Sequence, residues 1–126
     1  MNRGPRLLTR RLELCPFEPG DVEELFAIFR NAEVRRHLLD DQLVSRDWVA
    51  KEVLASGSHF ARGGFGLWSI RRQGEGGNVG FCGYRYFHDP PELQLVCGLL
   101  PTYWGRGLAT EACREVIRYG VEDLGF

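Results

Sequence analysis

Residues 91–120 read PELQLVCGLLPTYWGRGLATEACREVIRYG, which sets a strand, a glycine-rich loop and the start of a helix in direct succession. Glu92–Leu99 is a short apolar run of strand length. Behind it, Gly105 and Gly107 permit backbone conformations and close approaches that side chains would block. Ala109, Ala112, Cys113, Val116, Ile117 and Gly120 then recur at three-and-four spacing, while Glu111, Arg114, Glu115 and Arg118 face away. That stripe continues to Val121 and Leu124, with Gly125 where a C′ residue belongs. Successive free N–H groups in the loop point into one small concavity beside the positive end of the helix dipole, a combination that suits a pyrophosphate. Arg106 adds a charge at the rim, and Thr110 either contacts phosphate or caps the first turn. Spacing alone leaves a plain glycine-rich helix start equally open, because an isolated Gly-x-Gly is a weak signal. A P-loop is excluded, since no GxxxxGKS or GxxxxGKT is present. A dinucleotide fingerprint fails for want of its third Gly and its later acid.

Upstream, Gly66–Arg72 and Val79–Phe87 are further strand-like runs. Gly74–Asn78 joins them as a hairpin, and Asp89–Pro91 turns the chain into Glu92–Leu99, so three antiparallel strands form a meander. The alternation of Leu7–Phe17 predicts one half-buried strand, closed by Pro16 and Pro19–Gly20. Asp21 reads as an N-cap with Glu24 completing a capping box, and Val22, Leu25, Phe26 and Phe29 follow at helical spacing as far as Asn31. A second short helical piece spans Glu33–Leu39. Ser45 caps a helix through Trp48, Val49, Val53 and Leu54 that ends near Gly57. The expected class is α+β: strand, helix, helix, three strands, helix, in one domain over residues 1–126.

Bulk properties narrow the function classes. The 126 residues are 44% hydrophobic and 26% charged, ordinary for a soluble protein, and a net charge of -1 gives no reason to expect nucleic acid as partner. Four arginines crowd the N-terminus without an apolar run after them, and no segment is long and apolar enough to span a membrane, so the expectation is a cytoplasmic protein. Cys15, Cys82, Cys97 and Cys113 form no CxxC pair and the three histidines are scattered, so no metal is expected.

The 91–120 segment resembles the central motif of GNAT-superfamily N-acetyltransferases, and is most similar to the RimJ/RimL-like branch. Thr9-Arg10-Arg11-Leu12-Glu13-Leu14-Cys15-Pro16-Phe17 matches that branch's first strand, Phe65–Ile70 (FGLWSI) its second and Val79–Tyr84 (VGFCGY) its third. The resemblance therefore runs from Leu7 to Phe126. It implies a GNAT-like fold and acetyl-CoA as co-substrate. The pantetheine arm would pair with the splayed strand Leu93–Leu100. The pyrophosphate would sit on Trp104, Gly105, Arg106, Gly107, Leu108 and Ala109, with Thr110 alongside. Trp104 stands where many members have Gln or Arg, and an aromatic there is common in this branch.

Acetyl transfer needs a neutral amine, a route for its proton and stabilisation of the thioester oxyanion. A backbone N–H around Leu99, with Leu100 beside it, is the expected oxyanion donor. Where the resembled strand pattern has Glu, this chain has Gln94, so Glu92, two residues earlier on the same strand face, is the available carboxylate base. His88, Tyr84, Tyr86, Trp48 and Trp68 are weaker candidates. Cys97 has no evident histidine partner and is rejected as a nucleophile. Direct transfer from acetyl-CoA to a protein N-terminal or small-molecule amine is the expected reaction; a non-catalytic CoA-binding module is the alternative. The resembled fold continues past the position of Phe126, so an incomplete domain is expected here. Its exposed strand edge at Leu93–Leu99 would then favour a homodimer.

Overall fold

Leu12 and Leu14 turn fully inward from a short strand while Glu13 and Cys15 are half-buried, the period-two alternation of a strand. The computed structural model describes residues 4–38, 42–87 and 91–126, without the side chains of residues 37 and 38. Its elements are β1 (Leu7–Leu8), β2 (Leu12–Pro16), α1 (Val22–Arg30), α2 (Ala32–Leu38), α3 (Arg46–Gly63), β3 (Leu67–Arg72), β4 (Asn78–Phe87), β5 (Glu92–Leu99) and α4 (Leu108–Arg118). The strands form one antiparallel sheet in the order β1-β2-β3-β4-β5, so the three-strand meander is as expected and β5 takes an outer position.

Three local readings are corrected. The first strand is two strands folded on each other, Leu7 opposite Leu14. Thr9 makes the turn: its N–H bonds the Leu12 carbonyl and its hydroxyl accepts from the Leu12 N–H, both at 2.9 Å. A hydroxyl-made turn carries neither Gly nor Pro to announce it. At α1, the capping box sits three residues earlier than expected. A 3-10 turn, Pro19–Asp21, precedes the helix, and the Asp21 carboxylate accepts from the Glu18 N–H (2.9 Å) and from Arg71 (3.0 Å) rather than capping α1. Ser45 does cap α3, accepting from Trp48 N–H at 3.0 Å, but α3 passes Gly57 and stops at Gly64 (φ 79°). The buried stripe Val49, Val53, Ser56, Phe60 carries the helix on, offsetting the ~1 kcal/mol that a mid-helix Gly costs.

The sheet carries apolar packing on both faces. On one, Leu12, Leu14, Trp68, Ile70 and Cys82 meet Leu108, Ala112 and Val116 of α4; on the other, Phe81 and Leu67 meet Leu25, Ile28 and Phe29 of α1 and Val49 and Val53 of α3. The face of α4 is rotated from the expected stripe. Leu108, Ala112 and Val116 are buried, Ala109 and Ile117 are exposed, and Glu111 folds inward. Past Arg118 the helix widens into a π turn, Tyr119–Asp123. The Tyr84 hydroxyl bonds the Val116 carbonyl at 2.8 Å there, and a Cβ on Gly120 would stand 2.2 Å from that hydroxyl, so only Gly fits beneath it. No helix among the described residues is long and apolar enough to cross a membrane.

Candidate active site

The glycine loop lies where the end of β5 meets the start of α4. Gly105 (φ 77°) and Gly107 (φ 76°) are both left-handed, the conformation L side chains avoid. Between β5 and the loop, Pro101–Tyr103 forms a 3-10 turn closed by the Tyr103 N–H on the Leu100 carbonyl (2.9 Å). Gly107 is the N-cap of α4, and the Glu111 N–H makes a 3.0 Å bond to its carbonyl. The N–H groups of Leu108, Ala109 and Thr110 therefore have no acceptor within the helix and stand at its positive end. They border a cavity of about 400 Å³, walled by Cys97, Gly98 and Leu99 of β5, by residues 103–105 and 107–110 of the loop and helix start, and by Glu33 and Val34 of α2.

Seven of the expected cofactor residues share that wall: Leu99, Trp104, Gly105, Gly107, Leu108, Ala109 and Thr110. Two do not. The Leu100 N–H bonds the Val79 carbonyl (2.9 Å) and its side chain packs into the α1–α3 core. Arg106 directs its guanidinium over the Tyr103 ring, 5.7 Å from the centroid, outside the cavity wall. The Trp104 indole N–H bonds the Leu99 carbonyl at 2.8 Å, so this Trp braces the loop against the strand end. Cys97 and Gly98 belong to the strand expected to pair with pantetheine and Tyr103 opens the expected loop; Glu33 and Val34 escaped the sequence reading, because only the packing of α2 brings them there.

A tether holds the loop from outside. The Glu111 carboxylate accepts from the Thr9 hydroxyl, the Arg11 N–H (2.8 Å) and Arg11 Nε (2.7 Å), and Arg11 Nη1 reaches the Arg106 carbonyl (2.9 Å). Burial alone would raise the Glu111 carboxyl. The hydrogen bonds from Thr9 and Arg11, with the Arg11 charge, outweigh that and hold it below its ordinary value.

Glu92 begins β5, opposite Phe87, exposed and accepting from Gln94 Nε2 at 3.2 Å. Seven strand steps separate it from Leu99, roughly 24 Å. Between them, on the sheet face toward α3, Glu52 grips Arg85 through both nitrogens of the fork (2.5 and 3.0 Å), with Trp48, Phe87 and Val96 lining the same crevice. His59 and Tyr86 stand beside it, ring centroids 5.3 Å apart. Burial lowers the His59 pKa against the pull of Glu52, so its ring is neutral near pH 7. Trp68 is fully buried with its indole N–H on the Pro5 carbonyl, and Tyr84 is pinned to α4, which leaves Trp48 and Tyr86 as the accessible aromatics of the earlier group. His88 lies outside the described residues.

An antiparallel sheet with helices on both faces and a glycine cradle between its edge strand and the next helix is the GNAT acyltransferase architecture. The chain belongs to that family: residues 11–126 match the family described as Acetyltransferase (GNAT) domain, whose members use acetyl-CoA. It is 27% identical over 124 residues to the uncharacterized N-acetyltransferase YoaA of Bacillus subtilis (strain 168), covering 96% of this chain and 69% of that protein. Among solved structures, the acetyltransferase of Agrobacterium tumefaciens str. C58 superposes with a TM-score of 0.77 at 20% identity, over 97% of this chain and 70% of that one. RimL, a ribosomal L7/L12 α-N-protein acetyltransferase in complex with coenzyme A, superposes with a TM-score of 0.69 at 14% identity, over 94% and 69%.

Proposed function

We propose that this chain is an acetyl-CoA-dependent N-acetyltransferase of the RimJ/RimL-like branch, acting in the cytoplasm on a protein N-terminal or small-molecule amine by direct transfer. The reading rests on one observation above others: three helix-start N–H groups, held beside two left-handed glycines, face a cavity continuous with the end of an outer strand. Those N–H groups, with the backbone of Trp104–Gly107, suit the pyrophosphate. The outer edge of β5 has no partner strand among the described residues, and its N–H and C=O groups are the complement of the amide-bearing pantetheine arm.

Acetyl-CoA supplies an activated acyl carbon with a thiolate leaving group. A β5 backbone N–H near Leu99 stabilises the oxyanion that forms as the amine attacks. The C–N bond forms, the C–S bond breaks with the thiolate as leaving group, and the amine proton passes to water, because Glu92, the carboxylate expected as base, stands at the far end of β5 from Leu99, beyond the reach of a single water. The acceptor enters along the α3–β4 crevice, whose wall the Glu52–Arg85 pair holds rigid and where Trp48 and Tyr86 supply aromatic surface for its side chain. Without CoA the same exposed edge supports pairing of two copies through β5, in competition with pantetheine, which sedimentation of the CoA-free chain as a monomer at micromolar concentration would refute.

Calorimetry with acetyl-CoA and with ATP tests the cofactor class: heat with acetyl-CoA alone is expected, and none with it removes the proposal. Turnover is followed by chromatography of free CoA over a panel of amines, because the chain's own four cysteines react with thiol reagents. Binding without turnover would favour a CoA-binding module, the reading that Gln94 suggests by occupying the position of the resembled Glu.

A further inference from the structure

Three cysteines from three elements converge between α4 and the sheet. Cys82 of β4 lies directly opposite Cys97 of β5, and Cys113 of α4 sits over both. Their sulfur atoms all lie within 4.8 Å of one another, and Cys82 Sγ and Cys113 Sγ are 4.0 Å apart. All three are free thiols. A disulfide requires a sulfur separation of about 2 Å, so this spacing is not that of bonded cystine. Two thiolates on one zinc ion, each at about 2.3 Å and subtending a tetrahedral or trigonal angle, stand roughly 3.8–4.0 Å apart. The Cys82–Cys113 pair already has that separation, and the widest pair reaches it by closing less than about 1 Å.

We infer that Cys82, Cys97 and Cys113 form a binding site for one thiophilic d10 divalent cation of the zinc type, held by three thiolates with a fourth position open to the neighbouring cavity. The softness of three sulfur ligands selects zinc over magnesium or calcium. Cys97 opens the site, since it also lines the cavity at the end of β5, whereas Cys82 is fully buried. Each thiol exchanges its proton for the metal, so a 2+ ion leaves one net negative charge where three bare thiolates would leave three. Glu33 is the one carboxylate on the cavity wall and is not needed as a ligand.

The test uses the full chain, reduced and stripped of metal. Cobalt is titrated first as a spectroscopic probe: thiolate-to-cobalt charge-transfer absorption saturating at one equivalent is expected, bleached when zinc is added. Zinc affinity is then measured by competition with a chromophoric chelator, with proton release followed in weak buffer. Cys113→Ser and Cys97→Ser each leave two ligands and weaken zinc by on the order of 100-fold or more, beyond what loss of an outer-shell partner costs. Cys15→Ser, outside the cluster, leaves it unchanged. Thermal melts of each variant establish that it is folded, and zinc raises the midpoint of the wild type but not of Cys113→Ser. Cobalt absorption without charge-transfer bands, or zinc affinity in both cluster variants equal to wild type, overturns the site.

Discussion

Replacing Glu111 by Ala cuts the tether between the N-terminal strands and the glycine loop. The carboxylate accepts three hydrogen bonds, from the Thr9 hydroxyl and from two Arg11 nitrogens, and Arg11 in turn holds the Arg106 carbonyl. At about 0.5–1.5 kcal/mol each, three net bonds bound the loss at roughly 1.5–4.5 kcal/mol. The Arg11 side chain is 45% exposed, so solvent screens its share, and the expected loss is about 2 kcal/mol. For a chain of this length that lowers the thermal midpoint by roughly 6–10 °C. Glu111→Gln keeps one neutral acceptor, the amide oxygen, for the Thr9 hydroxyl and the Arg11 N–H, and loses about half as much. Because the folded carboxyl titrates below its unfolded value, its contribution is complete above the unfolded pKa and disappears as pH falls through the folded one. The stability gap between wild type and Glu111→Gln therefore narrows below about pH 4. Urea melts across pH 3–7 provide the assay. Glu111→Ala within about 0.5 kcal/mol of wild type at pH 7 would refute the tether.

Gly105→Ala meets no atom within 4 Å of the added Cβ but keeps a left-handed φ of 77°. It should cost ~1–2 kcal/mol by melting and weaken acetyl-CoA in calorimetry, and unchanged affinity would remove the close backbone approach from the cradle. Arg85→Ala leaves the Glu52 carboxylate, 16% exposed, without its fork. A loss near 2 kcal/mol is expected, and a Glu52/Arg85 double-mutant cycle with coupling below about 0.5 kcal/mol would deny the pair. Tyr84→Phe removes the hydroxyl from the Val116 carbonyl and should cost about 1 kcal/mol, with amide exchange accelerated in the π turn after Arg118; unaltered exchange there would show that Tyr84 does not hold it.

How much was legible from residues follows from the range of the forces involved. The meander, the Ser45 cap and the glycine loop before α4 depend on neighbours a few positions apart, and the structure has each at or near the expected place. The turn at Thr9 was missed because a side-chain hydroxyl made it, and the end of α3 because tertiary packing outweighed Gly57. Helical spacing placed a stripe on α4, but its phase was set by what the sheet presents, which buries Val116, exposes Ile117 and draws Glu111 inward.

By itself the sequence determined that a strand, a Gly-x-Gly loop and a helix start follow one another from Glu92 to Thr110, since each is written in residues a few positions apart; glycine permits the left-handed backbone there, and the structure shows that Gly105 and Gly107 adopt it. Only the tertiary structure decided what faces the cradle. The register of β4 against β5 and the seat of α4 upon them brought Cys82, Cys97 and Cys113 within 4.8 Å, and the fold of α2 carried Glu33 to the cavity wall. Such meetings join residues far apart along the chain, so they are settled by which surfaces bury together and leave no local pattern to read.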